Sequence, residues 1–290
     1  MKKIIALLIV FVLAISVVAC TAEKEQVLKM GFVPMKDGDT LIESVEPLTE
    51  MLSKELGIKV EGFTATNYVG VVEGLGSGQV DFGFIPPFAY VIANSESNAQ
   101  VILTAINKSG EAMYRSQFLV RKDGAIKSFA DIKGKTVAFV DPSSTSGYLF
   151  PGAHLIKEGI DIEKDIEYVY SGGHDKSLQL LLNGDVDVAT TFVDARERYE
   201  VDFPTAMEET ELLGYTDYIP NISVTLRGDM DAELQGKIKD ALLKIQESEE
   251  GKALLIELFN MYGFEEATDS DYDVIRATAK TMNVDLKEGK

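Results

Sequence analysis

Hydrophobic and polar positions along this chain fall into two alternating patterns. From residue 27 onward, short runs rich in β-branched and aromatic residues are separated by stretches in which apolar residues recur with helical spacing. The first pattern predicts strands, and the second predicts amphipathic helices. Strands that alternate with helices indicate an α/β fold with mostly parallel sheets. The predicted strands are Val27–Val33, Gly57–Phe63, Val80–Ile85, Val101–Asn107, Tyr114–Lys122, Thr136–Val140, Ile166–Tyr170, Val186–Phe192 and Ile222–Arg227.

Helices are predicted between these strands and toward the carboxyl end. One junction occurs twice, because Leu75–Phe84 and Leu182–Ala189 each contain a helix end, a glycine turn and a Val-Asp entry into an apolar strand. The repetition indicates two lobes built on one plan, although such junctions are common in any α/β protein. The predicted helices are Glu43–Leu56, Tyr68–Ser77, Pro87–Asn94, Gly147–Glu158, Asp175–Asn183, Ala232–Glu247, Gly251–Asn260 and Asp271–Met282.

The amino-terminal segment has a different character. Residues 4–19 form an apolar run that follows a basic start and ends at Cys20, the only cysteine. The run is slightly short for a membrane span and predicts a signal peptide over residues 1–19. Residues 16–20 resemble the lipobox of bacterial lipoproteins. That resemblance implies cleavage before Cys20, a diacylglycerol on its thiol and a polar tether over residues 20–26. The alternative is an ordinary secretory signal.

Composition narrows the class of function. The 290 residues include 28 Lys and Arg against 47 Asp and Glu, so the formal net charge is −19. Such an acidic chain lacks the basic face that nucleic acid requires. A single cysteine and two histidines exclude a cysteine zinc site and a disulfide framework. We therefore expect no cofactor, no metal and no nucleic-acid partner, whereas a small anion remains compatible with this charge.

One segment has the composition of an anion site. Residues 141–151, Asp-Pro-Ser-Ser-Thr-Ser-Gly-Tyr-Leu-Phe-Pro, join a predicted strand to a predicted helix. Free amide groups and partial positive charge at a helix start attract anions. Ser144, Thr145 and Ser146 add hydroxyl donors to those amides. The alternative is capping of the helix by one serine, for which three consecutive hydroxyl residues are more than enough.

Together with other motifs, this segment resembles the substrate-binding proteins of phosphonate and phosphite ABC importers. The resemblance extends from about Lys29 to the carboxyl end. The motifs that carry it are Gly31-Phe32-Val33-Pro34, Tyr68, Gly78-Gln79-Val80-Asp81, Phe82-Gly83-Phe84-Ile85-Pro86-Pro87-Phe88-Ala89-Tyr90, Ser144-Thr145-Ser146-Gly147-Tyr148, Ser171-Gly172-Gly173-His174-Asp175, Gly184-Asp185-Val186-Asp187, Val193-Asp194-Ala195 and Ile219-Pro220-Asn221.

The resemblance implies a two-lobed periplasmic-binding-protein fold of type II with a ligand cleft between the lobes. Residues 27–115 with 220–290 would form the first lobe, and residues 116–219 the second. Hinge closure would trap a phosphorus oxyanion, which a membrane permease would then receive. We expect an exported monomer that Cys20 anchors to the cell membrane, facing the periplasm or the cell exterior.

The resemblance also assigns the ligand contacts. Ser144, Thr145 and Ser146 would hold the oxyanion, Tyr68 and Tyr90 would approach from the other lobe, and His174 and Asp194 would complete the polar shell. A carboxylate such as Asp194 suits an oxyanion that carries a proton, or a ligand amine. Each of these residues has a simpler alternative. The tyrosines could be half-buried aromatics, His174 could cap a helix, and Asp194 could be a surface acid. Asp175 and His154 are more typical of structural positions.

Other functions stay open at this level. The same fold could bind a sulfonate, phosphate or a thiamine precursor, or could act as a ligand-sensing domain. No catalytic triad, metal cluster or cofactor motif supports an enzyme. No residue separates phosphite or methylphosphonate from 2-aminoethylphosphonate, since Asp175 and Asp194 could also hold an amine.

Overall fold

The computed structural model describes residues 26–33, 38–284 and 286. The signal peptide and the lipid-attachment site predicted at Cys20 lie outside these residues. The strands are β1 Val27–Phe32, β2 Lys59–Thr64, β3 Phe82–Ile85, β4 Gln100–Ile106, β5 Met113–Arg121, β6 Thr136–Phe139, β7 Glu167–Tyr170, β8 Val188–Phe192, β9 Thr210–Pro220, β10 Ser223–Leu226 and β11 Gly263–Glu266.

Helices connect most of these strands. Among the described residues, no helix is long and apolar enough to cross a membrane. Single turns cover Phe129–Ile132 and Asp269–Tyr272, and a π turn covers Thr145–Leu149. The helices are α1 Gly38–Leu56, α2 Tyr68–Ser77, α3 Pro87–Ser97, α4 Phe150–Lys157, α5 His174–Asn183, α6 Ala195–Arg198, α7 Ala206–Glu209, α8 Ala232–Glu247, α9 Glu249–Phe259 and α10 Asp273–Thr281.

The strands form two separate sheets. The first has the order β11-β4-β10-β3-β1-β2, and the second has the order β7-β6-β8-β5-β9. We call each sheet with the helices packed on it the first lobe and the second lobe. The pairs β1–β2, β1–β3, β6–β7 and β6–β8 are parallel, and the remaining pairs are antiparallel. The expectation of mostly parallel sheets is therefore corrected to mixed sheets. β5, β9 and β10 lie next to a crossover and pair only in antiparallel fashion, and β11 also pairs antiparallel within the first sheet.

Two crossovers join the lobes. The chain leaves the first sheet after β4 and enters the second at β5, and it returns between β9 and β10. Asn107 stabilises the first crossover, because its side chain accepts the amide hydrogens of Ser109 and Glu111 and donates to the carbonyl of Met113. In the second, the side chain of Asn221 accepts the amide hydrogen of Ile222. These short segments are the places where the lobes can rotate relative to each other.

The apolar core has one part in each lobe and one part that spans both. Phe32, Phe84 and Phe259 pack ring to ring at 5.1–6.1 Å on one face of the first sheet. Gly83 lies in the centre of this sheet, where a Cβ atom would approach the carbonyl oxygen of Gly31 to 2.2 Å. The spanning cluster includes residues of α3, β5, α4 and α10. Each lobe therefore has its own packing, and further apolar contacts connect them next to the cleft.

Candidate functional site

The hydroxyl-rich segment is a buried turn at the end of β6. Asp141 shapes it, because one carboxylate oxygen accepts both the amide hydrogen and the hydroxyl of Ser143, at 2.8 and 2.7 Å. Ser143 through Ser146 are each at most 4% exposed. Gly147 has no side chain, and a Cβ atom there would lie 2.4 Å from that of Val140. The sequence thus folds this segment tightly against the second sheet.

Two strands hold the turn in place through its carbonyl groups. The hydroxyl of Ser116 on β5 donates to the carbonyl of Ser146, and the hydroxyl of Thr190 on β8 donates to that of Gly147 at 2.8 Å. Both donors are fully buried. The amide hydrogens of Ser143, Ser144 and Gly147 are bonded within the turn itself. The turn is therefore held in one conformation before a ligand binds, which lowers the ordering cost of binding.

The predicted oxyanion hydroxyls have different partners. Ser144 caps the π turn by accepting the amide hydrogen of Gly147 at 3.1 Å, as the capping alternative requires. The hydroxyl of Thr145 accepts the amide hydrogen of Phe88 at 2.8 Å. Phe88 lies at the start of α3 in the first lobe, so this hydrogen bond crosses the cleft. The lobes therefore meet directly at the hydroxyl segment.

Tyr114 belongs to this group, although the sequence analysis did not single it out. Its phenol lies near the hydroxyls of Ser146 and Thr145. Burial raises the pKa of Tyr114 to about 12, even though these two hydroxyls lower it. The phenol is therefore protonated at neutral pH and can donate a hydrogen bond. The only sequence signal was its position at the start of a predicted strand after a crossover, and that position does not reveal which way a side chain points.

Tyr68 faces the same region from the first lobe. It is the first residue of α2, whose start is capped by Asn67 accepting the amide hydrogen of Gly70 at 2.8 Å. The side chain is 3% exposed, and burial raises the pKa of its phenol. Tyr199, Asp141, Tyr114 and Asp175 raise this pKa further through their charges. The structure therefore brings Tyr68 together with polar groups of the second lobe.

His174 begins α5 on the second lobe. Its ring lies edge-on to Phe192, with 4.9 Å between centroids. The residue as a whole is half-buried, yet Nδ1 is buried and has no hydrogen-bond partner among the residues that the structure describes. Burial lowers the pKa of the imidazole to about 3. The ring is therefore neutral at neutral pH and keeps one unsatisfied buried atom, which a ligand could satisfy.

Asp194 lies at the carboxyl end of β8, next to the same region. Its backbone is left-handed, with φ of 67°, which is rare for residues other than glycine and concentrates at functional sites. The side chain does not cap the following helix α6. The residue is exposed, but partial desolvation, and then the charge of Glu197, raise the pKa of the carboxyl group. A raised pKa makes this carboxylate a better acceptor for a ligand proton.

Tyr90 is not brought together with the hydroxyl segment. It is fully buried in α3, and its phenol donates to the Asp269 carboxylate at 2.6 Å. Its ring packs on Tyr272, with 4.8 Å between centroids. Burial and the hydrogen bond to Asp269 raise its pKa. These contacts give Tyr90 a structural position, because its donor is already used between α3 and the segment after β11.

Of the two remaining polar candidates, Asp175 borders the cleft and His154 does not. Asp175 is half-buried in the first turn of α5, and its charge raises the pKa of both Tyr68 and Tyr199, so it borders the cleft. His154 lies in α4 between Phe118 and Phe129, and its Nε2 is buried without a partner within the described part of the chain. It belongs to the interior of the second lobe, as the sequence analysis expected.

The electrostatics of the cleft come from dipoles and hydrogen-bond donors. The π turn and the helices α2, α3 and α5 begin at Thr145, Tyr68, Pro87 and His174, so their positive ends border the cleft. None of the side chains placed there carries a positive charge. Helix starts and neutral donors suit a small anion. No group of three or more metal-ligating side chains occurs in the described ranges.

Comparison with known proteins defines the class to which this geometry belongs. A family model described as "ABC transporter, phosphonate, periplasmic substrate-binding protein" matches residues 30–272. The match covers both lobes and every site residue described above. The chain belongs to this family.

Individual relatives agree with this assignment. The phosphate-import protein PhnD of Mycolicibacterium smegmatis is 34% identical over 270 residues, which are 87% of this chain and 84% of that protein. A binding protein of an ABC phosphonate transporter from Pseudomonas aeruginosa has a TM-score of 0.81 at 25% identity, covering 89% of this chain and 88% of its own. PhnD1 of Prochlorococcus marinus, solved with methylphosphonate, has a TM-score of 0.80 at 23% identity, covering 90% and 99%.

Family membership confirms the central expectations from the sequence. The chain is the substrate-binding component of an ABC transporter and not an enzyme, and it is exported. The two-lobed α/β fold of the solved relatives confirms the predicted fold class. In this family the partners are a small ligand and a membrane permease.

Proposed function

We propose that this protein captures a phosphorus oxyanion, such as a phosphonate, phosphite or phosphate, by closing its two lobes and delivers it to the permease. The observation that carries this proposal is the buried turn Ser144–Ser146, whose hydroxyls lie in the region that Tyr68 of the first lobe faces, where none of the described site residues carries a positive charge. The names of the relatives support phosphorus oxyanions as the ligand class.

The ligand contacts in this proposal come from both lobes. Thr145 and Ser146 donate hydroxyls to the oxyanion, together with amide hydrogens at the start of the π turn. Tyr68 and Tyr114 donate phenols, and His174 supplies one imidazole nitrogen. Ser144 contributes mainly by capping the turn, and Tyr90 supports α3. The proposal keeps residues 27–115 with 220–290 as the first lobe and residues 116–219 as the second, with limits that lie near the two crossovers.

Neutral donors are sufficient for tight but reversible binding. A hydrogen bond to a charged group contributes roughly 1.5–3 kcal/mol. About four to six such bonds correspond to nanomolar to micromolar dissociation constants, or about −8 to −12 kcal/mol, after ordering costs. Because the donors belong to different lobes, opening separates them and lowers the affinity at once. That property is what a carrier needs when it transfers its ligand to a permease.

Asp194 gives the site a means to select a protonated oxyanion. A carboxylate next to an anion repels it unless the ligand has a proton to donate. Asp194→Asn should weaken binding of the preferred ligand and reduce discrimination against sulfate, which carries no proton at neutral pH. Isothermal titration with phosphite, methylphosphonate and sulfate measures both effects. Unchanged affinity and selectivity would show that Asp194 does not contact the ligand.

The amino-terminal predictions complete the proposal. Cys20 carries a diacylglycerol, which with further acylation anchors the protein to the outer face of the cell membrane, and the exported chain acts as a monomer. The support is the basic start, the apolar run and the single cysteine at its end. The wild-type chain should incorporate labelled fatty acid, and Cys20→Ser should not. Equal labelling of the two proteins, or no labelling of the wild type, would contradict the lipid anchor.

A thermal-shift panel on the full chain in detergent tests the ligand class. It compares phosphate, phosphite, methylphosphonate and 2-aminoethylphosphonate with sulfate and taurine. A ligand at about 100 times its dissociation constant adds about 2.7 kcal/mol to the free energy of unfolding. A shift with at least one phosphorus oxyanion and none with sulfate or taurine is expected. A shift with taurine alone would indicate a sulfonate carrier of the same fold.

A further inference from the structure

The carboxyl-terminal helix α10 contacts both lobes. It packs against α3 on the first lobe and against α4 and the π turn on the second. Ile275 and Ala279 of α10 are fully buried in the apolar cluster that also contains Tyr90 of α3 and Leu155 of α4. The helix is therefore a further link between the lobes, besides the two crossovers. It also touches the turn that carries the proposed oxyanion hydroxyls.

The contact of α10 with the first lobe is polar and has several partners. Arg276 donates to the side-chain oxygen of Asn94 on α3 at 3.0 Å. The same guanidinium pairs with the Asp269 carboxylate, which accepts the phenol of Tyr90. Hydrogen bonds between charged partners are the stronger class. These bonds attach α10 firmly to α3.

The contact of α10 with the second lobe is apolar. Met282, directly after α10, is 8% exposed and lies over Gly152 of α4. A Cβ atom on Gly152 would approach the methyl carbon of Met282 to 2.3 Å and its sulfur to 2.8 Å. The thioether therefore occupies the space that a side chain at residue 152 would take. Such a contact has no directional bond and separates more easily than the polar contact with α3.

We propose that the contact between Met282 and Gly152 is a latch that favours the closed arrangement of the lobes and thereby sets ligand affinity from outside the cleft. The proposal rests on the proposed function, because it assumes a cleft that opens. When α4 moves away from α3, Arg276 keeps α10 on α3, so the helix separates from α4 at Met282. The hydrogen bond between the Phe88 amide and Thr145 breaks in the same motion. Since apparent affinity scales with the closed fraction, the latch acts without touching the ligand.

Met282→Ala in the full chain, in detergent, tests the latch. Hydrogen exchange of the Phe88 amide reports closure without ligand, because that amide is protected by a bond across the cleft. We expect faster exchange at Phe88 in the ligand-free variant and unchanged exchange in β1 and β6. Affinity for methylphosphonate should fall by about threefold to tenfold, the range seen for residues that couple through a conformational equilibrium. Val274→Ala, at a 42% exposed position on α10, is the matched control and should change neither quantity.

Gly152→Ala tests whether the effect on lobe closure comes from the contact between Met282 and Gly152 or from a general loss of stability. The added methyl displaces Met282, while alanine favours helix over glycine, so α4 itself is not weakened. The variant should show the same faster exchange at Phe88 as Met282→Ala. In the double variant the alanine methyl fills part of the space that Met282 leaves, so the two effects should not add.

Three results would overturn the latch. One is wild-type exchange at Phe88 in both single variants. Another is faster exchange spread over β1 and β6, which would indicate general destabilisation. The third is full additivity in the double variant. If the wild-type protein does not bind methylphosphonate, the ligand assignment fails, but the exchange measurement on ligand-free protein still decides the latch.

Discussion

Tyr68 and Tyr90 lie on neighbouring helices of the same lobe, but their phenols have different surroundings. Tyr68 begins α2, is buried against the second lobe and is influenced by the carboxylates of Asp141 and Asp175. Tyr90 is buried within α3, and its phenol donates a hydrogen bond to Asp269. Tyr68 thus lies among polar groups that belong to the other lobe, whereas the phenol of Tyr90 is bonded within its own lobe. Burial therefore does not distinguish a binding tyrosine from a structural one, but the partner of its hydroxyl does.

The largest effect is expected at Thr145, where the two lobes meet. Thr145→Val removes the hydroxyl that accepts the Phe88 amide hydrogen and that we assign to the oxyanion. Losing one bond to a charged ligand and leaving a buried amide unpaired should lower affinity by about 100-fold. Isothermal titration measures the loss, and Thr145→Ser, which keeps the hydroxyl, should retain most of the affinity. Equal affinities for the wild type, Thr145→Val and Thr145→Ser would show that the turn does not contact the ligand.

Tyr68→Phe tests the binding side of the comparison. The variant keeps the buried ring and removes only the phenol, so its melting temperature without ligand should stay within about 2 °C of wild type. Affinity should fall by about tenfold, since one donor to the anion is lost. A variant with normal affinity and a lower melting temperature would place Tyr68 in the same structural class as Tyr90.

Tyr90→Phe should give the reverse result. Removing its phenol takes one hydrogen-bond donor from the exposed Asp269 carboxylate, which should cost about 0.5–1.5 kcal/mol and lower the melting temperature by a few degrees. Arg276 still bonds to Asp269 and Asn94, so affinity should change by less than about threefold. Differential scanning calorimetry and titration separate the two effects. A tenfold loss of affinity at normal stability would restore Tyr90 to the ligand shell.

The smallest effect concerns the pH dependence at His174. Burial lowers its pKa to about 3, from an ordinary value near 6.5. Between these two pH values the imidazole is protonated in the unfolded chain and neutral in the folded protein. Stability should therefore fall as pH drops from about 6.5 toward 5, above the range where most carboxylates titrate. In His174→Gln the decline of the ligand-free melting temperature over this range should be shallower.

His154→Gln is the control for that measurement, because burial lowers the pKa of His154 as well. Both variants should flatten the decline, because each removes a histidine whose pKa burial lowers in the folded protein and which takes up a proton on unfolding. Identical pH profiles for wild type and His174→Gln would contradict a neutral buried imidazole at the start of α5.

The sequence predicts the parallel core of this fold better than its antiparallel edges. Helix α2 and strands β3 and β6 have apolar runs between clear glycine or proline signals, and the prediction was close at each. β9 and β11 were missed. In β9, residues 211–214 are only partly buried and Asp217 and Tyr218 are both exposed, and β11 ends in two exposed glutamates. Strands that face water on one side lack the continuous apolar run of a buried parallel strand.

For the site as well, features that depend on neighbouring residues were easier to predict than contacts between residues that are distant in sequence. Local motifs were sufficient for the hydroxyl turn, because capping and anion binding both depend on residues adjacent in sequence. Tyr114 was missed because its two hydroxyl partners lie thirty residues away, on a turn that only the sheet order brings beside β5. Tyr90 was included for the converse reason. Its hydrogen-bond partner Asp269 is 179 residues away in the sequence, and no local sequence pattern indicates that hydrogen bond.

The most direct test of this account is isothermal titration of the full chain with phosphate, phosphite and methylphosphonate, and with sulfate as the comparison anion. We expect a micromolar or tighter dissociation constant for at least one phosphorus oxyanion, at least 100-fold weaker binding of sulfate, and loss of the heat of binding in Thr145→Val. Equal binding of sulfate, or no binding of any phosphorus oxyanion by well-folded protein, would contradict a cleft that recognises these ligands through neutral donors.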